Sequence, residues 1–265
     1  MKKNIKDENI VQAFLSLKNK GFYIFNQRLP DKTCDLMIKK INKYKPKVDK
    51  DTSFHQSGSY MIYNLFNKDD LFLNLIFEKN FLLLCDKYFR YGAHKSDKNL
   101  YQFELMHSRI IKNKSKDQDL HLDSRICGAD PPTSIHFFIY LHDVIKSSGA
   151  TQLVPYSHKK KRYPEKKDKK KAIKILGKKG TIIALNSSLW HGSSKKSSIG
   201  ERAIITLAYS RWFIRQQFAV PYSINKKFDK KLTKSQKMIL GYENYAPVNE
   251  LQRVRARGNL PIYKK

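Results

Sequence analysis

The chain has 265 residues, of which 40% are hydrophobic and 12% aromatic, and it carries a formal net charge of +30. This length fits one barrel or sandwich domain, and the apolar content supplies a sizeable core, so the charge does not indicate a disordered polycation. The longest apolar stretches, residues 71–77 and 81–85, are far shorter than the roughly 20 residues of a membrane-spanning helix. The composition therefore excludes a disordered chain and a transmembrane helix, and it predicts a folded, soluble protein.

The N-terminal residues and the cysteines bear on the cellular compartment. The first lysines are followed by Asp7 and Glu8 and by no unbroken apolar segment, which argues against a secretory signal and predicts a cytoplasmic location. The three cysteines, Cys34, Cys85 and Cys127, are an odd number without CxxC spacing. This pattern favours buried free thiols over a disulfide framework or a zinc ribbon.

A third of the positive charge is concentrated in residues 159–179, which we call the basic segment. It holds twelve Lys or Arg residues against Glu165 and Asp168, a net charge of +10. One interpretation is a solvated, mobile loop; the other is a patch that attracts an anionic substrate, an anionic carrier or nucleic acid. Nucleic-acid modules interleave stacking aromatic residues with basic ones, whereas this segment has Tyr163 alone, so nucleic acid is the weaker option.

The first hundred residues predict helices around one short strand. Gly21 ends the first helical pattern, and Asp31 is a plausible N-cap for the next. Pro46 and several small polar residues then indicate a loop. The predicted elements are a helix at 11–17, a strand at 22–25, a helix from 31 to 41, a loop at 45–58 and a helical pair within 71–89.

From residue 101 onward the sequence changes to short β-branched or aromatic runs separated by Gly, Pro and Ser. Alternation predicts that His136, Phe138, Tyr140 and His142 share the strand face that opens on a polar cavity. We therefore predict one mainly β domain over 1–265, with a helical part (1–100), a β core (101–215) and a C-terminal extension (216–265). The predicted strands are 105–111, 134–141, 151–154, 180–185 and 203–212, followed by a helix at 232–240.

One group of residues has the pattern of a metal site. His121 and Asp123 form a His-x-Asp pair, and His191 follows a predicted strand some seventy residues later. Two histidines and a carboxylate form the facial triad of non-haem Fe(II) oxygenases, which leaves three cis positions free on an octahedral iron. Two of these positions suit the keto-acid end of 2-oxoglutarate, and the third suits O2. Arg202, eleven residues after His191, can bind the far carboxylate through its planar fork.

The segment Ser148-Gly149-Ala150-Thr151-Gln152-Leu153-Val154-Pro155-Tyr156-Ser157-His158 resembles a motif of the phytanoyl-CoA dioxygenase family, small-Gly-Ala-x-x-x-x-Pro-Gly-Ser-His. The opening Lys20-Gly21-Phe22-Tyr23-Ile24 is similar to the family's entry segment, and the likeness covers residues 18–44 and 101–212, with a faint match at 232–242. Tyr156 stands where the family usually has Gly, which matters if the backbone φ there is positive. The basic segment has no counterpart in the family pattern.

The resemblance implies a double-stranded β-helix (jelly-roll, cupin-like) core and an Fe(II)- and 2-oxoglutarate-dependent dioxygenase that uses O2. It implies that His121, Asp123 and His191 ligate iron, that Arg202 anchors 2-oxoglutarate and that Ser193 assists the anchor. Related halogenases replace the carboxylate by a small residue, so Asp123 favours hydroxylation of an unactivated C–H bond with release of succinate and CO2.

Other polar residues are candidates for lining the site. His107 and Arg109 occupy alternate positions of the strand before the His-x-Asp pair, so both can face the metal. Arg125 follows Asp123 closely and is a candidate for binding an anionic substrate group. His136 and Tyr140 are further candidate substrate contacts.

Several functions remain open at this stage. The first is hydroxylation of a small metabolite, or of an acyl or sugar group on an anionic carrier. The second is the same chemistry on nucleic acid or protein, which the net charge favours. The third is a non-catalytic jelly-roll binding protein, whose signature would be a lost metal ligand. A cupin-like metal isomerase would have no use for Arg202.

Overall fold

Nine strands form two antiparallel sheets within the residues that the computed structural model describes, 9–44, 59–95, 97–112, 114–244 and 248–251. The strands are β1 (Phe22–Ile24), β2 (Ser59–Tyr63), β3 (Tyr101–Ile111), β4 (Ser134–Tyr140), β5 (Thr151–Leu153), β6 (Ile173–Ile175), β7 (Ile182–Asn186), β8 (His191–Ser193) and β9 (Arg202–Arg211). The larger sheet has the order β1-β7-β4-β9-β3-β2, and the smaller sheet has the order β6-β5-β8. These described strands do not close into a barrel. The predicted mainly β core is confirmed.

Helices cover the outer face of the larger sheet. They are α1 (Ile10–Lys20), α2 (Asp31–Asn42), α3 (Asp70–Leu75), α4 (Lys79–Arg90), α5 (Val220–Ser223), α6 (Lys226–Asp229) and α7 (Lys234–Ile239). Phe81 of α4 stacks on Phe137 of β4, with ring centroids 4.3 Å apart. The predicted flanking helices are therefore confirmed, and none of those described combines the length and apolarity that a membrane crossing requires.

Strand β4 has the two faces that its alternation predicts. Ile135, Phe137 and Ile139 lie in the main hydrophobic core, as the alternation predicts. The opposite face is not open to solvent, because every residue of β4 is buried. On this face His136 and Phe138 line a cavity, as predicted, whereas Tyr140 packs in a hydrophobic cluster with residues of the smaller sheet.

The sequence prediction differs from the structure at several element boundaries. Asp31 is the first helical residue of α2, and Pro30 occupies the N-cap without a side-chain hydrogen bond. An acidic residue in the first turn still favours the helix through the helix dipole. Strands β2, β6 and β8 were not predicted, since each is only three to five residues long. The loop predicted at 45–58 lies outside the described residues.

Gly21 joins the N-terminal helix to the segment that carries the family resemblance. Its φ of 90° is left-handed, and its N–H donates to Leu17 O and Ser16 O to end α1. A Cβ at this position would lie 2.6 Å from His158 Nδ1 and 2.6 Å from a Leu189 methyl carbon. His158 Nε2 in turn donates to a carbonyl near the end of α1. Only glycine permits this contact between α1 and the β core.

Tyr156, where the family usually has Gly, has a φ of 67°. A left-handed conformation costs a non-glycine residue roughly 1–2 kcal/mol, while glycine loses about 0.5–1 kcal/mol more backbone entropy on folding. We therefore expect Tyr156→Gly to raise the free energy of unfolding by about 0.5–1 kcal/mol, measured by urea denaturation. Tyr163→Gly is the control, because Tyr163 is equally exposed but has no positive φ. Equal changes in both variants would contradict the assignment of strain to Tyr156.

The basic segment is folded rather than irregular. A short 3-10 helix, Lys166–Lys171, begins with a capping box between Glu165 and Asp168. Arg162 makes a bidentate pair with Asp168, with N–O distances of 2.8 and 2.9 Å. The same guanidinium lies 4.6 Å from the ring centroid of Trp190. The basic segment therefore packs on the residue that precedes His191, while most of its lysines remain exposed.

Candidate metal centre and its cavity

Backbone pairing brings the two predicted histidine ligands together. His121 and His191 exchange N–H···O bonds of 2.9 and 2.8 Å, although they are seventy residues apart in the chain. The N–H of Asp123 donates to Ser187 O at 2.9 Å, which turns the chain back toward His191. One potential ligand atom from each of His121, Asp123 and His191 then lies within 4.8 Å of the others. The three residues could hold one metal ion.

Backbone carbonyls fix the tautomer of both histidines. His191 Nδ1 lies 2.9 Å from Leu189 O, and His121 Nδ1 lies 3.3 Å from Asp119 O. When these Nδ1 atoms carry the proton and donate it, each Nε2 keeps its lone pair for a metal. Asp123 Oδ2 is 3.3 Å from His191 Nε2, and Asp123 Oδ1 is 3.8 Å from His121 Nε2.

The charge states of His121 and Asp123 also suit a divalent metal. Burial lowers the pKa of His121 to about 4, so the ring is neutral at pH 7. Burial alone would raise the pKa of Asp123, but His191 and His136 hold it well below its usual range. Two neutral imidazoles and one carboxylate form the donor set that non-haem Fe(II) sites use. The residues present therefore fit iron.

His136 lies beside the metal ligands rather than free in the cavity. Its Nδ1 is 3.0 Å from Asp123 Oδ2, and the side chain is 6% exposed. Groups that contact a ligating carboxylate orient it and tune its basicity. The contact of His136 with substrate, predicted from the sequence, stays a prediction; in the structure His136 contacts a ligand.

A cavity of about 710 Å³ adjoins the three ligands. Its walls include one face of the larger sheet, where paired residues of neighbouring strands share a side. His107 and Arg109 of β3 pair with Thr206 and Ile204 of β9, and His107 also pairs with Tyr63 of β2. His107 and Arg109 therefore lie on the face of the sheet that lines the cavity, the side on which alternation places them.

Arg202 is buried at the wall of this cavity and is 1% exposed. Its Nη2 donates to Gly149 O, whereas Nε and Nη1 have no acceptor among the described residues. Burial lowers the pKa of Arg202 to about 10, so the guanidinium stays charged at pH 7. Buried donors without acceptors are costly, and an anion in the cavity would satisfy them.

Ser193, the second predicted 2-oxoglutarate residue, also lines the cavity. It lies two residues after His191 in β8, and its Oγ donates to Gln118 Oε1 at 3.4 Å. The structure therefore places Ser193 and Arg202 in one cavity with the three candidate metal ligands. Gln118 was not singled out from the sequence; its position three residues before His121 was the available signal.

The Ser148 to His158 segment contacts the site at two points. Gly149 O accepts a hydrogen bond from Arg202, and Ser157 Oγ accepts one of 2.8 Å from the N–H of Trp190. Trp190 immediately precedes His191 in the chain. Ser157 therefore fixes the backbone that carries a candidate metal ligand.

We expect Ser157→Ala to lower the free energy of unfolding by about 1–3 kcal/mol, because the buried N–H of Trp190 loses its acceptor. Metal affinity should also fall by about tenfold, since His191 is less firmly held. Ser194→Ala is the matched control: Ser194 is equally buried, and its Oγ has no partner among the described residues. Urea denaturation and metal titration of both variants check this, and equal losses in the two would contradict it.

Three polar residues from the sequence analysis lie outside the cavity. Arg125 is exposed and does not line it. Tyr140 lies in a second hydrophobic cluster, where its hydroxyl donates to Ile175 O at 2.9 Å. His142 Nδ1 accepts a hydrogen bond from the N–H of Ala203. The structure thus does not bring these side chains to the metal ligands, because strand register and not sequence proximity sets which side chains share the cavity.

A two-histidine, one-carboxylate centre beside a buried arginine, inside a two-sheet β fold, is the arrangement of a non-haem iron oxygenase. The phytanoyl-CoA dioxygenase (PhyH) family profile matches residues 17–204. The chain belongs to this family. It is therefore an Fe(II)- and 2-oxoglutarate-dependent oxygenase, as the sequence predicts.

Individual proteins are similar to this chain in sequence or in fold. Dioxygenase FUM3 of Gibberella moniliformis is 21% identical over 203 residues, which are 74% of this chain and 67% of that protein. HygX from Streptomyces hygroscopicus, solved with nickel, 2-oxoglutarate and hygromycin B bound, superposes with a TM-score of 0.62 at 13% identity, covering 77% of this chain and 88% of HygX. The epimerase SnoN, solved with Fe3+, alpha ketoglutarate and nogalamycin RO, gives 0.62 at 11% identity, covering 80% and 88%. The predicted jelly-roll-type fold is confirmed.

Proposed function

We propose that this oxygenase hydroxylates an unactivated C–H bond of a small molecule, free or attached as an acyl or sugar group to a carrier. In this proposal His121, Asp123 and His191 hold Fe(II), and Arg202 with Ser193 holds 2-oxoglutarate. The observation that supports it is that three candidate ligands lie in one cavity with Arg202, whose Nε and Nη1 have no acceptor in the part of the chain that the structure describes.

Bound Fe(II) supplies the activation of O2, with one oxygen atom passing to 2-oxoglutarate, which leaves as succinate and CO2, and the other to the substrate as a hydroxyl group. The side chains of the protein position the metal and 2-oxoglutarate. The Nε2 atoms of the two histidines and the Asp123 carboxylate fix the metal, and Arg202 binds the far carboxylate of 2-oxoglutarate through its free N–H groups. Apolar side chains such as Phe138 and Ile204 line the same cavity and help exclude water.

Hydroxylation is favoured by the carboxylate ligand. Asp123 occupies the position that a halide would need at the metal, which argues against halogen transfer.

The cavity volume of about 710 Å³ is within the range of small-molecule sites, roughly 300–1,000 Å³. HygX and SnoN were solved with small molecules, hygromycin B and nogalamycin RO, which supports a small substrate here. SnoN is an epimerase, so hydroxylation is the part of the proposal that product analysis must test.

The experiment is an anaerobic titration of the metal-free protein with Fe(II) and then 2-oxoglutarate. We expect the metal-to-ligand charge-transfer band of the chelate, followed on admitting 18O2 by succinate that contains one labelled oxygen atom. A candidate substrate should accelerate succinate release and gain one labelled oxygen atom. A folded protein that shows no band would contradict the proposed site, and a product without added oxygen would contradict hydroxylation.

The same chemistry on nucleic acid is the second candidate function, favoured by the exposed lysines of the basic segment. It requires binding to mixed DNA or RNA that falls steeply with rising salt. Weak binding at physiological salt would eliminate it. A non-catalytic binding protein is disfavoured because all three candidate ligands and Arg202 are present. The cytoplasmic location stays a prediction.

A further inference from the structure

Arg109 is a second arginine on the wall of the cavity. Its Nε donates to Ser59 Oγ at 3.3 Å, and its Nη1 donates to Gln118 Oε1 at 2.6 Å. Both acceptors are neutral, and no carboxylate among the described residues forms an ion pair with it. Asp123 acts on the Arg109 guanidinium only at longer range. Arg109 therefore presents an unneutralised positive charge to the cavity.

The charges of the loaded cavity do not balance without a further anion. A divalent metal with Asp123 leaves one positive charge, and dianionic 2-oxoglutarate then outweighs it by one negative charge. Arg202 restores neutrality, and Arg109 adds one further positive charge. Glu104, the remaining carboxyl near the ligands, interacts with His136 and Asp123 and not with Arg109, and burial raises its pKa, which favours its neutral form. The rim carboxylates do not neutralise Arg109 either: Asp117 pairs with Lys169 at 3.3 Å, and Asp119 is exposed. A partly buried charge of this kind is stabilised by a counter-anion.

Strand register separates Arg109 from the 2-oxoglutarate anchor. Arg202 lies opposite Ile111, whereas Arg109 lies opposite Ile204, one step along the same sheet face. Such diagonal neighbours are roughly 7–8 Å apart. On its other side Arg109 lies opposite Met61 of β2, the edge strand of the larger sheet. Arg109 therefore stands between the anchor and the β2 wall of the cavity.

The β2 wall is apolar and aromatic beyond Arg109. The Tyr63 ring lies 5.7 Å from the His107 ring and 6.0 Å from the Phe218 ring. Burial lowers the pKa of His107 to about 3, so this ring is neutral and does not compete with Arg109 for an anion. A molecule that rests on this wall would meet one cation among the described side chains there, Arg109.

We propose that Arg109 binds an oxyanion of the substrate, a carboxylate or phosphate group, so that the enzyme acts on an anionic small molecule. This inference rests on the proposed function, whose substrate class it defines. The N–H groups of Arg109 that Ser59 and Gln118 do not use form the receptor, and the planar fork suits carboxylate or phosphate better than a lysine would. Arg125, the residue that sequence proximity suggested for this role, is exposed outside the cavity.

The probe is inorganic phosphate, titrated by calorimetry into the full chain loaded with Mn(II) and 2-oxoglutarate. In the same samples, phosphorus relaxation by Mn(II) reports whether the phosphate lies close to the metal. We expect Arg109→Gln to weaken phosphate binding by about tenfold or more and to leave 2-oxoglutarate affinity within about threefold. Arg109→Lys should keep part of the affinity, and Arg125→Gln is the matched control that should keep all of it.

Phosphate binding that is absent in the wild type, unchanged in Arg109→Gln or lost in Arg125→Gln would overturn the inference. So would an Arg109→Gln protein that loses 2-oxoglutarate but keeps phosphate, since Arg109 would then serve the cosubstrate. Failure of the wild type to take up Mn(II) and 2-oxoglutarate would contradict the proposed function instead. Calorimetry of phosphate on the metal-free variants would then still show whether binding depends on Arg109.

Discussion

Replacing Asp123 by alanine is expected to lower Fe(II) affinity by more than about 100-fold and to abolish turnover, with the fold retained. Changes at residues that only support a ligand already cost about 10- to 100-fold in metal affinity, so removal of a ligand should cost more. The fold should survive because the Asp123 side chain is 30% exposed and its backbone N–H keeps Ser187 O as acceptor. His191→Ala should have the same effect on the metal.

Asp119→Ala is the matched control for this variant. Asp119 is an exposed carboxylate two residues before His121, and only its backbone carbonyl contacts the His121 ring. Anaerobic Fe(II) titration, succinate formation and thermal denaturation should be measured on both variants. An Asp123→Ala protein that turned over normally, or an Asp119→Ala protein that lost iron to the same degree, would disprove the ligand assignment.

The candidate metal ligands could be selected from the sequence because they lie in two short motifs. His121 and Asp123 are two residues apart, and His191 begins a run in which Ser193 follows it closely. A facial triad needs two histidines and one carboxylate, and Arg202 after His191 supplies the cation for the far carboxylate of 2-oxoglutarate. Their meeting in space depends on one β-bridge between His121 and His191.

Residues whose roles depend on strand register could not be predicted in the same way. Arg125 is close to Asp123 in sequence but exposed, so sequence proximity misplaced it, whereas alternation along β3 correctly placed Arg109 on the side that lines the cavity. Tyr140 lies on the predicted strand face, yet its hydroxyl contacts Ile175 O of the smaller sheet. Pairing between distant strands decides these outcomes, and alternation within one strand does not report it. The organisation of the whole chain as one domain stays a prediction.

Replacing the buried Arg202 should weaken 2-oxoglutarate binding without lowering the stability of the unliganded protein. We expect Arg202→Met to weaken 2-oxoglutarate binding by about 100-fold or more, because one partner of a buried charge pair is removed. The unliganded variant should be about as stable as the wild type. It loses the hydrogen bond from Nη2 to Gly149 O, but Nε and Nη1 have no acceptor among the described residues, and removing a buried, unpaired charge offsets that loss. The stabilisation that 2-oxoglutarate confers on the metal-loaded wild type should be absent in Arg202→Met.

Arg211→Met is the matched control, because Arg211 is a buried arginine at the other end of β9. Its guanidinium donates to three backbone carbonyls, those of Pro132, Phe89 and Tyr91, at 2.8, 3.3 and 2.6 Å. Loss of these bonds should lower the free energy of unfolding by about 1–3 kcal/mol and leave 2-oxoglutarate affinity unchanged. Thermal denaturation with and without the cosubstrate, together with calorimetric titration, measures both effects. If Arg202→Met lost stability without losing 2-oxoglutarate, the buried guanidinium would be a structural group like Arg211 and not the anchor of the cosubstrate.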